Sequence, residues 1–467
     1  MDIEIFVTAG LGDNSFLLTS GDESVVVDPQ RDAGRFLEAA EARRSRVRAV
    51  LETHVHNDYV SGAHELRAAH GAELVLPADG GYEFDHRGAE DGEEVRIGDL
   101  RLVALHTPGH TYEHLAWLVY EGESSEPVAV FSGGSLLVGS AGRTDLLGPD
   151  HTAELTKHQY ESVQRLRALP ASAQLLPTHG AGSFCVSAMP STSRTSTLGA
   201  ELKGNDLLLA ASPADFEEEM TGELMAYPAY YARMAPLNRS GVPVLGAAPE
   251  IPRLDHDAFR DARDRGVVVV DGRDRDAFAS VHVPGSVNIE LNSSFGSYVG
   301  WMLEFGTPVL LVLPDDDAAL DASTQLMRIG WSTPVGLLEG GMTSWVDAGN
   351  DVGSYRVAGV EELAQAVVAG EAPSVVDVRQ PLEWGWGTLP GSTTLFVADW
   401  PRRIGEVPTD RPVWLICSSG HRSAIAASLL AGAGGRPVLV GDGGVGEVLR
   451  TVRERQDSGS LGAGRDA

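Results

Sequence analysis

Two cysteines and two lysines are all that the 467 residues contain. With only Cys185 and Cys417 present, a disulfide framework is excluded, and a reducing, cytoplasmic location is the expectation. The lysines are Lys157 and Lys203, so arginine supplies 34 of the 36 basic residues. Base is scarce against acid: 66 Asp and Glu give a net charge of −30. That excess argues against nucleic acid, which needs clustered cations, and against an anionic membrane surface. Long apolar runs are also missing. No segment nears the roughly 18 residues of a membrane span. The opening Met1-Asp2-Ile3-Glu4 has neither the basic nor the apolar region of a signal peptide.

What is present is a globular composition. Hydrophobic residues are 43% of the chain and mean hydropathy is −0.08. At roughly 150 residues per domain the length suggests about three domains. Strand-like runs open the chain at 3–7, 15–19 and 24–27 and recur at 47–51, 73–76, 100–105, 116–120 and 128–131. Helical patterns fall at 33–44 and 153–166. This mixture predicts a layered α/β or α+β domain over 1–245, followed by a Pro- and Gly-containing linker within 235–252. Beyond the linker the chain repeats itself at an offset near a hundred residues. The stretch Val267 to Arg273 parallels Ser374 to Arg379, and Val283-Pro284-Gly285-Ser286 parallels Leu389-Pro390-Gly391-Ser392. Duplicated α/β domains are expected over 253–351 and 355–455. The polar, Gly-rich 456–467 is expected to be a disordered tail.

Three histidine signals occur in the first domain. Thr53-His54-Val55-His56-Asn57-Asp58-Tyr59 follows a strand-like run, and its alternation places His54, His56 and Asp58 on one side if extended. Thr107-Pro108-Gly109-His110 and Pro177-Thr178-His179-Gly180 each present a histidine at a turn. Imidazole with carboxylate suits zinc or iron.

The ordered set resembles the metallo-β-lactamase fold, which implies a four-layered αββα sandwich. In that family the first motif usually ends in His, where Tyr59 stands here. An aspartate usually stands at the position of Gly134 in Phe131-Ser132-Gly133-Gly134. The resemblance therefore implies one metal, held by His54, His56 and His110. The stretch Gly139 to Asp145 resembles persulfide dioxygenases, in which two histidines and an aspartate hold iron(II). That branch implies His54 and His110 as ligands, with His56, water or another carboxylate completing the set. Asp58, Tyr59, His179 and Cys185 would then face substrate or support the ligands. Asp145 is expected to pair with Arg143.

In the last domain Cys417-Ser418-Ser419-Gly420-His421-Arg422 lies between a strand-like and a helix-like run. Amide N–H groups at such a turn stabilise a thiolate or persulfide anion, and Arg422 adds a fixed cation. The loop resembles that of rhodaneses, the sulfurtransferases, and implies Cys417 and Arg422 as catalytic. In the middle domain Leu313-Pro314 and three aspartates from Asp315 occupy the corresponding stretch, so that copy is expected to be inactive.

Together these features resemble fusions of a persulfide dioxygenase with two rhodanese domains. Such a fusion implies one Fe(II) per chain, with Zn as the alternative. It implies a low-molecular-weight thiol persulfide, O2, sulfite and thiosulfate as partners, and is compatible with a homo-oligomer. The alternatives are a zinc hydrolase similar to glyoxalase II with a rhodanese attached, and a non-catalytic sulfane-sulfur carrier or sensor.

Overall fold

The computed structural model describes residues 1–187, 191–222, 224–315, 317–331, 333–371 and 373–463. The chain falls into two compact units. One comprises Met1–Pro249 with Thr324–Trp331, the other Glu250–Ser323 with Ser332–Ala467.

The first unit is built on two six-stranded sheets. Asp2–Thr8, Asp13–Ser20, Glu23–Val27, Arg46–Leu51, Glu73–Pro77 and Arg87–Ala89 form one in chain order. The other runs Ser196–Thr197, Gln174–Pro177, Ala129–Gly133, Leu115–Glu121, Leu100–His106 and Glu94–Ile97. Alternation along the strands decides the layers. Phe16, Leu18, Val25 and Val27 point at Leu102, Trp117, Val119 and Phe131 of the opposite sheet. Their neighbours Leu17 and Val26 point outward onto Phe36 and Leu66. On the far side Leu118, Val130 and Leu175 meet Val163 and Leu166 of the helix Pro149–Arg167. The αββα sandwich is therefore present. The helix Tyr231–Ser240 corrects the expected linker, whose first residues are helical because Met234, Ala235 and Asn238 are buried.

The second unit holds two five-stranded sheets, both parallel throughout. In each the strands lie in the order first, fifth, fourth, second, third. The duplication extends to single atoms. Arg273 Nη2 donates to Asp271 Oδ2 at 2.7 Å, and Arg379 Nη2 donates to Asp377 Oδ2 at 2.6 Å. The final helix, Val445–Ala463, runs into the segment expected to be disordered; the remainder of that segment, 464–467, and Asp316 lie outside the described residues. Among the described residues no helix is long and apolar enough to cross a membrane.

Candidate metal centre and cysteine loop

Three histidines of the first unit lie just past the ends of strands. His54 follows Arg46–Leu51, His110 follows Leu100–His106 and His179 follows Gln174–Pro177. Parallel or mixed α/β sheets commonly gather their sites at such ends. Here ligand atoms of His54, His110 and His179 come within 4.8 Å of one another, all buried. The Nε2 atoms of His54 and His179 are 3.4 Å apart. His110 Nε2 is buried with no hydrogen-bond partner.

Each ring is held from behind at Nδ1. His110 Nδ1 donates to the Arg143 carbonyl at 2.7 Å, and His179 Nδ1 lies 2.9 Å from Asp13 Oδ1. His54 Nδ1 lies 2.8 Å from Thr53 Oγ1, which itself donates to Asp28. This is how metal-binding imidazoles are oriented, with the lone pair turned inward. Burial and the neighbouring imidazoles push His54 and His110 well below the usual histidine range. Burial also lowers His179, against the pull of Asp58. Three neutral imidazoles converging in this way fit a zinc or iron ion.

His56 is not among them, which corrects the expected trio of His54, His56 and His110. The His54 and His56 rings stay close, with centroids 4.2 Å apart, but the turn after His54 aims the His56 Nε2 at carboxylates rather than at His110 and His179. His56 Nε2 lies 2.8 Å from Glu52 and 3.3 Å from Asp28. Burial would lower its pKa, but Asp28 and Glu52 raise it well above the ordinary value. The Tyr59 ring stacks on His56 at 4.4 Å, and its hydroxyl donates to the Asp28 carbonyl at 3.2 Å. Tyr59 thus belongs to this ionic pocket rather than to the three-histidine centre. Asn238 fastens the turn by donating to the His56 and Tyr59 carbonyls at 2.9 and 2.8 Å.

Asp58 and Cys185 stand beside His179. Asp58 Oδ2 is 3.4 Å from His179 Nδ1 and 3.6 Å from Cys185 Sγ. Burial lifts both Asp58 and Asp13 to about 7. Burial and the two carboxyls push the Cys185 thiol up. Arg143 forms the expected pair with Asp145, through two contacts of 2.6 and 2.7 Å.

Gly134 occupies a tight place. A Cβ there would lie 2.3 Å from His110 Cδ2. The Gly134 N–H donates to His114 Nε2 at 2.9 Å. Sequence reasoning missed His114, Asp13, Asp28 and Glu52. None sits in a spaced motif, and only Asp28, closing an apolar strand, carried a local signal.

In the second unit Cys417 follows the strand Pro412–Ile416 and precedes the helix His421–Gly432. Its Sγ accepts from the Ser419 and Gly420 N–H groups at 3.5 and 3.1 Å. Arg422 donates to Ser418 Oγ at 2.7 Å and is paired with Glu383, with one contact of 2.9 Å. Burial alone would lower the Arg422 pKa, but Glu383 holds it above the ordinary value. His421 is half-buried nearby, and desolvation lowers it to about 4.

Residues 9–179 match the metallo-beta-lactamase superfamily, and residues 255–348 and 359–451 each match the rhodanese-like domain. The chain belongs to the metallo-beta-lactamase superfamily and carries two rhodanese-like domains. Among curated relatives of this superfamily member, a hydroxyacylglutathione hydrolase from Methylococcus capsulatus is 35% identical over 158 residues, 33% of this chain and 57% of that one. Another, from Cereibacter sphaeroides, is 32% identical over 185 residues, 38% of this chain and 67% of that one. The chain thus spans about three fifths of the length of curated relatives such as the first. A solved metallo-beta-lactamase structure from Staphylococcus aureus subsp. aureus COL superposes with a TM-score of 0.65 at 25% identity, covering 72% of this chain and 98% of that one.

Proposed function

We propose that this superfamily member oxidises a low-molecular-weight thiol persulfide at the histidine centre and transfers sulfane sulfur at Cys417. Cys417 carries the reading, because its sulfur receives two backbone N–H groups in the loop of a rhodanese-like domain. The Cys417 thiolate attacks the outer sulfur of thiosulfate. The S–S bond breaks, sulfite leaves with the electron pair, and Cys417 retains the sulfur as a persulfide anion. The Ser419 and Gly420 N–H groups and Arg422 offset that charge. A nucleophile such as sulfite then takes the terminal sulfur and restores the thiolate.

At the other centre His54, His110 and His179 would hold the metal. Iron bound there would supply the one-electron chemistry that dioxygen requires. The net conversion is RSSH + O2 + H2O → RSH + HSO3⁻ + H⁺. Asp58, lifted to about 7, can hold or release a proton near neutrality.

The hydroxyacylglutathione hydrolase relatives favour a second reading, zinc-assisted thioester hydrolysis at the same three imidazoles. Protein purified without oxygen separates the two. Iron content near one per chain and oxygen uptake with glutathione persulfide are expected. Hydrolysis of S-lactoylglutathione without oxygen uptake would overturn the dioxygenase reading. Absence of both metal and turnover would favour a sulfur carrier.

A further inference from the structure

The first rhodanese-like domain has no nucleophile of its own, since Leu313-Pro314 follows its strand Val309–Val312. Within the same compact unit, however, its Arg275 reaches the cysteine loop of the second copy. Arg275 Nη1 donates to the Ser419 carbonyl at 2.6 Å and lies 3.2 Å from the Gly441 carbonyl. The guanidinium is itself fixed. Its Nε and Nη2 donate to the two oxygens of Glu290 at 2.9 and 2.7 Å, and the Arg275 N–H donates to Glu290 at 3.0 Å.

The Ser419 carbonyl and the Gly420 N–H are opposite ends of one peptide group. A trans peptide is planar, so its C=O and N–H point in opposite directions. Holding the oxygen on Arg275 therefore aims the hydrogen at Cys417 Sγ, 3.1 Å from the Gly420 nitrogen. Rotation of this peptide would turn a carbonyl dipole toward the sulfur and repel an anion there. Glycine offers little resistance to that rotation. Gly420 sits at φ +91°, and a Cβ there would lie 1.9 Å from Arg275 Nη1. The residue that makes room for the guanidinium thus also leaves the peptide free to turn, and the lock has to come from outside the loop.

We infer that Arg275 is a positioning residue for Cys417, holding the Ser419–Gly420 peptide so that its N–H stays on the sulfur; this rests on the sulfur-transfer reading above. The inactive copy thereby contributes to the active one, from a domain that cannot turn over alone.

The test uses the full chain as wild type, Arg275→Met, Arg275→Lys and Glu290→Gln. Sulfur transfer from thiosulfate to cyanide is measured beside iodoacetamide alkylation of Cys417 at pH 7, located by peptide mass. Thermal melting checks the fold. Arg275→Met is expected to lower both kcat and the alkylation rate about tenfold, with a smaller change in KM for thiosulfate. Arg275→Lys keeps one donor for the Ser419 carbonyl and should recover part of both. If Arg275→Met fails to fold, Glu290→Gln, which loosens the guanidinium without removing it, is read for the same loss. Wild-type alkylation and kcat in a folded Arg275→Met or Glu290→Gln would overturn the inference. A wild-type chain without sulfur transfer would instead defeat the functional reading, and the alkylation rates would still decide whether Arg275 holds the loop.

Discussion

His179 and His54, 125 residues apart in sequence, face each other through their Nε2 atoms at 3.4 Å, while Asp13 holds the far side of the His179 ring at 2.9 Å. Each nitrogen is presented by a different strand end. The pair sets the composition of the centre: a third imidazole, His110, joins them, and His56 is left to neutralise two buried carboxyls.

The first prediction separates those roles. His179→Ala should weaken metal binding at least about tenfold, since it removes a ligand and its oriented support. His56→Gln should keep the metal but melt at a lower temperature. Glu52 and Asp28 would lose their buried cationic partner, a change that costs about 3 kcal/mol or more. Elemental analysis and thermal melting of both variants check this. Metal lost from His56→Gln but retained by His179→Ala would reverse the assignment.

Gly134→Asp should lower metal content and turnover rather than restore a missing carboxylate. The new Cβ would press on the His110 ring at 2.3 Å, a distance that forces either the ring or the strand end to move. Displacing His110 removes one of three donors. Metal per chain and oxygen uptake, wild type against variant, measure the effect; a rise in both would show that His110 can yield without loss.

Cys417→Ser should abolish sulfur transfer from thiosulfate, because a serine oxygen cannot form the persulfide. Metal content should stay unchanged, since the histidines lie in the other compact unit. The cyanide assay and elemental analysis on one preparation test both halves. Residual transfer at the wild-type rate would place the sulfur elsewhere.

Acid should destabilise the second unit through His421. Its folded pKa of about 4 lies below the ordinary histidine value of 6.5, with burial the main cause. The unfolded chain then binds the extra proton between these values, so stability present above pH 6.5 is lost as pH falls toward 4. One proton corresponds to at most about 1.4 kcal/mol per pH unit in that window. Denaturant unfolding at pH 7 and pH 5 should show a smaller loss for His421→Asn than for wild type. Equal losses would mean that His421 is not kept neutral by the fold.

Much of the architecture was legible in the residues. The alternating apolar runs at 15–19 and 24–27 gave strands with one face toward the opposite sheet and one toward helices. The repeat near a hundred residues gave two sheets of identical strand order. The cysteine loop was readable because its parts are contiguous: Cys417, the N–H groups of Ser419 and Gly420, and Arg422 span six residues. Composition spoke for a disordered tail over 456–467, and the last helix runs on to Ala463.

Residue types and short spacings were enough to say which chemistries are available: three histidine turns, one cysteine at a strand-to-helix junction, and no aspartate at Gly134. They were enough because those signals are local. Which histidines share a point depends on packing between distant strand ends. His54 and His56 are two residues apart, yet a turn fastened by Asn238 sends one ring to the centre and the other between Glu52 and Asp28. His179 enters from 125 residues away, and Arg275 reaches the Cys417 loop across 144. Such pairings follow from which strand ends and loops the packing brings together, and sequence spacing carries no record of that.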